Sequence, residues 1–160
     1  MDNFDAKTWT EKIRQHKTPL VVAGQGCSEI RLKGKPLSDY AVEMAETLGC
    51  PVAATGNAVL SMGEKERPVE VKKMWLAELF RYLEDDWQEP LSAEKPDLLL
   101  TIGFHPELLE GMAAGMDQVD MIHLGPGAVA DASLNMEAVP LGEWAENLGE
   151  LIRELASMKG

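Results

Sequence analysis

The sequence predicts an α/β domain built as a three-layer, doubly wound parallel sheet. Three observations carry that expectation. Short apolar runs of strand length recur along the chain, helically periodic segments separate them, and each run ends on glycine or a small polar residue. At 160 residues, 45% hydrophobic and 26% charged, the chain fits a single domain spanning 1–160 with one sizeable core.

The elements follow in order. A helix is expected over residues 5–17, with Trp9, Ile13 and His16 toward one face and Pro19 beyond its end. Leu20-Val21-Val22-Ala23 is a buried parallel strand, closed by the turn Gly24-Gln25-Gly26-Cys27-Ser28. A loop with Gly34 and Pro36 leads to a helix over about 38–48, stopped by Gly49. A strand over 51–55 ends in Gly56-Asn57, and residues 58–68 read as irregular. A helix over about 69–83 is apolar around more than one stripe, with Val71, Met74, Trp75, Leu76, Leu79, Phe80 and Leu83. A loop with Trp87 and Pro90 follows. Asp97-Leu98-Leu99-Leu100-Thr101-Ile102 is the clearest strand and ends in Gly103. A helix over about 106–116, a strand over 119–124, the turn Gly125-Pro126-Gly127, a short strand over 136–141 and a helix over about 143–158 complete the pattern.

Charge narrows the function classes. The net charge is −12, which argues against nucleic acid and anionic membrane surfaces as partners. The charge is uneven: residues 1–50 hold seven acids and seven bases, so the whole excess lies in 51–160. No apolar run reaches the ~20 residues that span a bilayer, and the first ten residues are polar rather than signal-like. The cytoplasm is therefore the expected location. Cys27 and Cys50 are too few for a structural metal or iron–sulfur site, and in that compartment they are expected as reduced thiols. His16, His105 and His123 show no metal-ligand spacing. Gly-x-Ser-x-Gly, Gly-x-x-x-x-Gly-Lys-Ser/Thr and His-Glu-x-x-His are all missing from the sequence. Nothing assigns a histidine partner to Cys27 or Ser28, so no catalytic residue is expected.

Candidate binding residues gather at the strand ends, where doubly wound sheets hold ligands. Gly24-Gln25-Gly26 is half of a dinucleotide fingerprint, but Glu29 occupies the third glycine position and Thr55 and Asn57 stand where a ribose-binding acid is expected. Either these glycines let backbone N–H groups approach a phosphate, or they only permit a tight turn. Arg31, Lys33 and Lys35 follow, as counter-charges for a pyrophosphate or an acidic partner, or as a solvated loop. Gly103-Phe104-His105-Pro106 is a ring or ribose contact, or a strand-to-helix turn with Pro106 at the first helical position. A transferase acting through His105 is the remaining class, although nothing visible in sequence orients its imidazole. The Trp- and Met-bearing helix around Trp75 either packs on its own sheet or offers a partner surface.

The run Pro19-Leu-Val-Val-Ala-Gly24-Gln-Gly26, the helix end Ala45-Glu-Thr-Leu-Gly49-Cys-Pro51-Val, Ala54-Thr55-Gly56 and Asp97-Leu-Leu-Leu-Thr-Ile-Gly103 together resemble a known superfamily. It is the Rossmann-like central domain of thiamine-diphosphate enzymes, of the type shared with sirtuins and transhydrogenases. In length, in the leading helix before Pro19, in the basic loop near Arg31 to Lys35 and in the long apolar middle helix, the chain is similar to the epsilon subunits of the carbon monoxide dehydrogenase/acetyl-CoA synthase complex. That resemblance implies a non-catalytic accessory subunit. Its partner would be the large nickel–iron–sulfur subunit, in a paired arrangement within a hetero-oligomer, and its role would be to stabilise that subunit or assist electron transfer to FAD. Carried onto this chain, the implied FAD or NAD(P) contacts are Gly24, Gln25, Gly26, Gly56, Asn57, Gly103, Phe104 and His105. The alternative is a free-standing FAD- or NAD(P)-binding electron-transfer domain.

Overall fold

A computed structural model describes residues 4–55, 70–84, 95–113, 119–125, 127–130, 132–136 and 140–157. Its centre is a six-stranded sheet made of β1 (Pro19–Ala23), β4 (Val52–Ala54), β5 (Val71–Lys73), β6 (Leu98–Ile102), β7 (Asp120–His123) and β8 (Leu134–Asn135). The spatial order is β5-β4-β1-β6-β7-β8, and every neighbouring pair is parallel. Numbered among themselves in chain order, the strands run third, second, first, fourth, fifth, sixth. The order therefore reverses between β1 and β6, where Val21 pairs with Leu100 on one side and with Val52 on the other.

Alternation along the strands splits the core in two. Val21, Ala23, Leu98, Leu100 and Ile102 face α1 (Ala6–Arg14), α3 (Leu37–Leu48) and α6 (Leu141–Ser157). Leu20, Val22, Ala53 and Leu99 face α4 (Leu76–Glu84) and α5 (Pro106–Ala113). Helices thus cover both faces, as continuous apolar runs such as Leu98-Leu99-Leu100 require. α1 lies against α6 through Trp9, Ile13, Leu148, Leu151 and Leu155, and the Arg14 guanidinium donates to the Leu155 carbonyl at 2.9 Å. Among the described residues, no helix is long and apolar enough to cross a membrane. Cys27 and Cys50 are free thiols, both buried.

Four expectations need correction. The first helix ends at Arg14, three residues short of the expected 5–17 span. The chain leaves it early because His16, Lys17 and Thr18 bind the amino edge of the sheet. His16 Nε2 lies 2.8 Å from Asp120, and the Lys17 and Thr18 N–H groups donate to the Asp97 carboxylate at 2.8 and 3.0 Å. The loop with Gly34 and Pro36 contains an antiparallel hairpin, β2 (Arg31–Leu32) and β3 (Lys35–Pro36). Lys33 and Gly34 turn it with φ of 53° and 78°, the paired positive angles that two-residue hairpins demand. The expected helix over 69–83 begins as the edge strand β5, and α4 starts only at Leu76. Val71 pairs with Val52, while Lys72 and Lys73 stay exposed at the edge, a pattern that suits an edge strand. Among the described residues the last strand is Leu134–Asn135, and Leu141 already begins the final helix; residues 137–139 of the expected 136–141 strand lie outside the described residues. The Asn135 side chain ties β8 to Val129 by accepting from its N–H at 2.7 Å and donating to its carbonyl at 3.0 Å.

Candidate functional site

β1 and β6 are neighbours, yet their following segments diverge, one to the four-residue helix α2 (Gly26–Glu29) and the other to α5. The divergence opens a cleft of about 570 Å³ at the carboxyl edge of the sheet, where open α/β sheets bind ligands. Gln25, Gly26, Glu29 and Ile30 line it from the β1 side; Gly103, Phe104, His105 and Leu108 from the β6 side; Thr55, Trp75 and Leu76 from the β4 and β5 side. Five of the residues expected as contacts from the sequence therefore meet here: Gln25, Gly26, Gly103, Phe104 and His105. Gly24 does not line the cleft but packs against Gly103 and Phe104, which do. Gly56 and Asn57 lie outside the described residues, next to Thr55 in the chain.

The three glycines are explained first by each other. A Cβ on Gly24 would come within 2.5 Å of the Gly103 carbonyl oxygen, and one on Gly26 within 2.8 Å of the same atom. Gly103 has φ of 81°, and a Cβ there would meet the Cys27 nitrogen and sulfur at 2.9 Å each. This contact is stitched by hydrogen bonds: Gly24 N–H to the Ile102 carbonyl at 2.8 Å and Gly26 N–H to the Gly103 carbonyl at 3.0 Å. Cys27 N–H and Ser28 N–H each donate, at 3.0 Å, to the carbonyls of Gly24 and Gln25. The loop's amides are thus largely engaged within the protein.

The side chains divide by character. Phe104 is buried and walls the cleft, while Trp75 is 72% exposed and Leu108 52% exposed at its rim. Glu29 lines the same space and accepts from the Gln25 amide at 3.0 Å. Thr55 is buried and donates its hydroxyl to the Ala23 carbonyl at 3.1 Å. His105 is exposed immediately before α5. Burial pushes the Cys27 thiol up to about 12, against a smaller opposing effect of its contact with the Gly24 backbone. Cys27 is therefore a protonated packing group at neutral pH, not a nucleophile. Burial raises Cys50 to about 12 as well.

The expected basic cluster does not line this cleft. Arg31 donates to the Gly34 carbonyl at 2.7 Å within its own hairpin. Lys33 reaches Glu146 at 3.5 Å, and Lys35 pairs with Glu43 while lying 4.4 Å from the centre of the Tyr40 ring.

No protein-family model matches this sequence, and no curated protein matches it.

A flavin or nicotinamide dinucleotide fits the described residues only in part. The apolar walls and the exposed indole suit its ring. For its pyrophosphate the lining offers the Glu29 carboxylate, which repels an anion, and the Gly26, Cys27 and Ser28 amides, which already have acceptors. The sequence did not single out the other six lining residues, Glu29, Ile30, Thr55, Trp75, Leu76 and Leu108, as contacts. Trp75 was hidden by assigning it to the interior of a long helix, whereas it stands at a strand-to-helix junction on the carboxyl edge.

Proposed function

We propose that this chain is a non-catalytic accessory subunit of a carbon monoxide dehydrogenase/acetyl-CoA synthase complex. In this reading it stabilises the nickel–iron–sulfur subunit and assists electron transfer to a flavin. The fold is taken as Rossmann-like, of the thiamine-enzyme central-domain type, because the strand order is that of doubly wound dinucleotide folds. The observation that carries the reading is the cleft at the point where that order reverses, walled by residues from the two strand-end glycine turns of the resemblance. The partner assignment rests on the resemblance alone. When bound, a flavin would supply the electron-accepting group, and Trp75 and Phe104 are the residues that would hold its ring.

Co-expression of the tagged chain with the large nickel–iron–sulfur subunit tests the assignment. A stable stoichiometric complex containing paired copies of this chain, with slower loss of carbon monoxide oxidation on heating, is expected. No association at micromolar concentrations refutes it. The second reading, a free-standing FAD- or NAD(P)-binding electron-transfer domain, is favoured by the exposed indole at the cleft. It predicts saturable nucleotide binding by the isolated chain and no complex.

A further inference from the structure

Among the described residues, the exposed large hydrophobic side chains are Trp75, Leu108 and Leu141, and two of these three line one cleft. Trp75 arrives from the β5 side and Leu108 from α5, so they approach the space from opposite flanks of β1. An exposed indole presents a flat face on which a planar ring stacks, and base–aromatic stacking of this kind tolerates different ring chemistries. Phosphate recognition needs inward-pointing amides or cations. Here the Gly26, Cys27 and Ser28 amides donate to Gly103, Gly24 and Gln25, and Glu29 places a carboxylate in the lining. A carboxylate repels a phosphate at close range.

We propose that the cleft recognises an uncharged planar heteroaromatic ring, stacked on Trp75, and that its glycine-turn amides, engaged within the protein beside Glu29, do not hold a phosphate. The inference rests on the cleft being a ligand site. It adds that the ring alone suffices, so a riboflavin-like molecule is held as well as its nucleotide forms.

Titrating the full chain with riboflavin, FAD and ADP, read by flavin fluorescence and calorimetry, tests this. Riboflavin and FAD should bind with dissociation constants within about threefold, and millimolar ADP should leave riboflavin binding unchanged. Trp75→Ala should weaken both flavins by roughly tenfold or more, while Trp75→Phe, which keeps a ring face, should stay within about threefold. Because the side chain is exposed, both variants should unfold at the parent's urea midpoint, and that measurement separates lost stacking from lost fold. FAD binding thirtyfold tighter than riboflavin, with displacement by ADP, overturns the ring-only inference and leaves the ligand site standing. Absence of binding by all three compounds overturns the site itself. Flavin binding that survives Trp75→Ala overturns the stacking contact.

Discussion

Replacing Gly24 by alanine separates a packing role for the glycine turn from a phosphate-cradling one. The added methyl would lie 2.5 Å from the Gly103 carbonyl oxygen and 2.7 and 2.8 Å from two carbons of the Phe104 ring. Neither neighbour yields easily. Gly103 is backbone held by its own N–H to the Gly125 carbonyl at 2.9 Å, and Phe104 is only 4% exposed. Overpacking of this kind costs about 1–3 kcal/mol, and three contacts this short place Gly24→Ala near 2–3 kcal/mol. With a urea slope of roughly 2 kcal/mol/M the midpoint falls by about 1–1.5 M, and the melting temperature by roughly 4–12 °C. The loss should appear in the ligand-free chain. Gly142→Ala is the control: nothing lies within 4 Å of its Cβ position in α6, so restricting the unfolded chain should stabilise by about 0.4–1 kcal/mol. A Gly24→Ala midpoint equal to the parent's, measured without ligand, refutes the interlocked-turn argument. A measurable loss also disqualifies Gly24 variants as probes of phosphate binding.

Three further outcomes follow from the fold. Leu100→Ala removes a fully buried side chain from the central strand β6 and should cost about 2–5 kcal/mol in urea unfolding; a loss under 1 kcal/mol would mean the strand is not central. Burial opposes the charge of Asp97, but hydrogen bonds from Lys17 and Thr18, with His16 nearby, outweigh it and hold the carboxyl below its ordinary value. Its stabilisation is therefore complete above the unfolded value of 3.8 and fades as pH falls through the lower folded value. Asp97→Asn should lower the urea midpoint at pH 7 and flatten its decline as pH falls below 3.8; parallel acid profiles would contradict this. Because burial holds both cysteines at about 12, a disulfide reagent at pH 8 should label neither in the native chain and both in urea. Rapid native labelling of Cys27 would show that the turn over it opens.

Legibility in the sequence tracked how local the deciding physics was. β1 and β6 read directly, because a strand buried on both faces must be continuously apolar. α3 read directly because its apolar period and Gly49 stop both lie within the element. β5 did not: Val71-Lys72-Lys73 is strand only because Val52 offers it an edge, a partner 19 residues earlier. The hairpin was missed because its strands are two residues long, and Lys33-Gly34 is a weaker signal than Asn-Gly. At the cleft, the strand-end glycines Gly26 and Gly103 are among the lining residues. Their reason was not visible, since it lies in Gly24 and Gly26 meeting Gly103, which is nearly 80 residues away in sequence. Trp75 was misplaced along with β5, and so the exposed rim of the cleft went unread.

The contact between α1 and α6 sets an order on biosynthesis. Trp9 and Ile13 are synthesised well before the leucines that cover them, which belong to the helix spanning 141–157, and the Arg14–Leu155 bond joins residues 141 positions apart. β1 likewise waits for β6 before its second neighbour exists. A nascent chain therefore carries α1 without this cover until residues 141–157 emerge, and folding that waits on such distant pairings is slow. That interval is when the chain is most exposed to aggregation, and when a chaperone would find its apolar stripe.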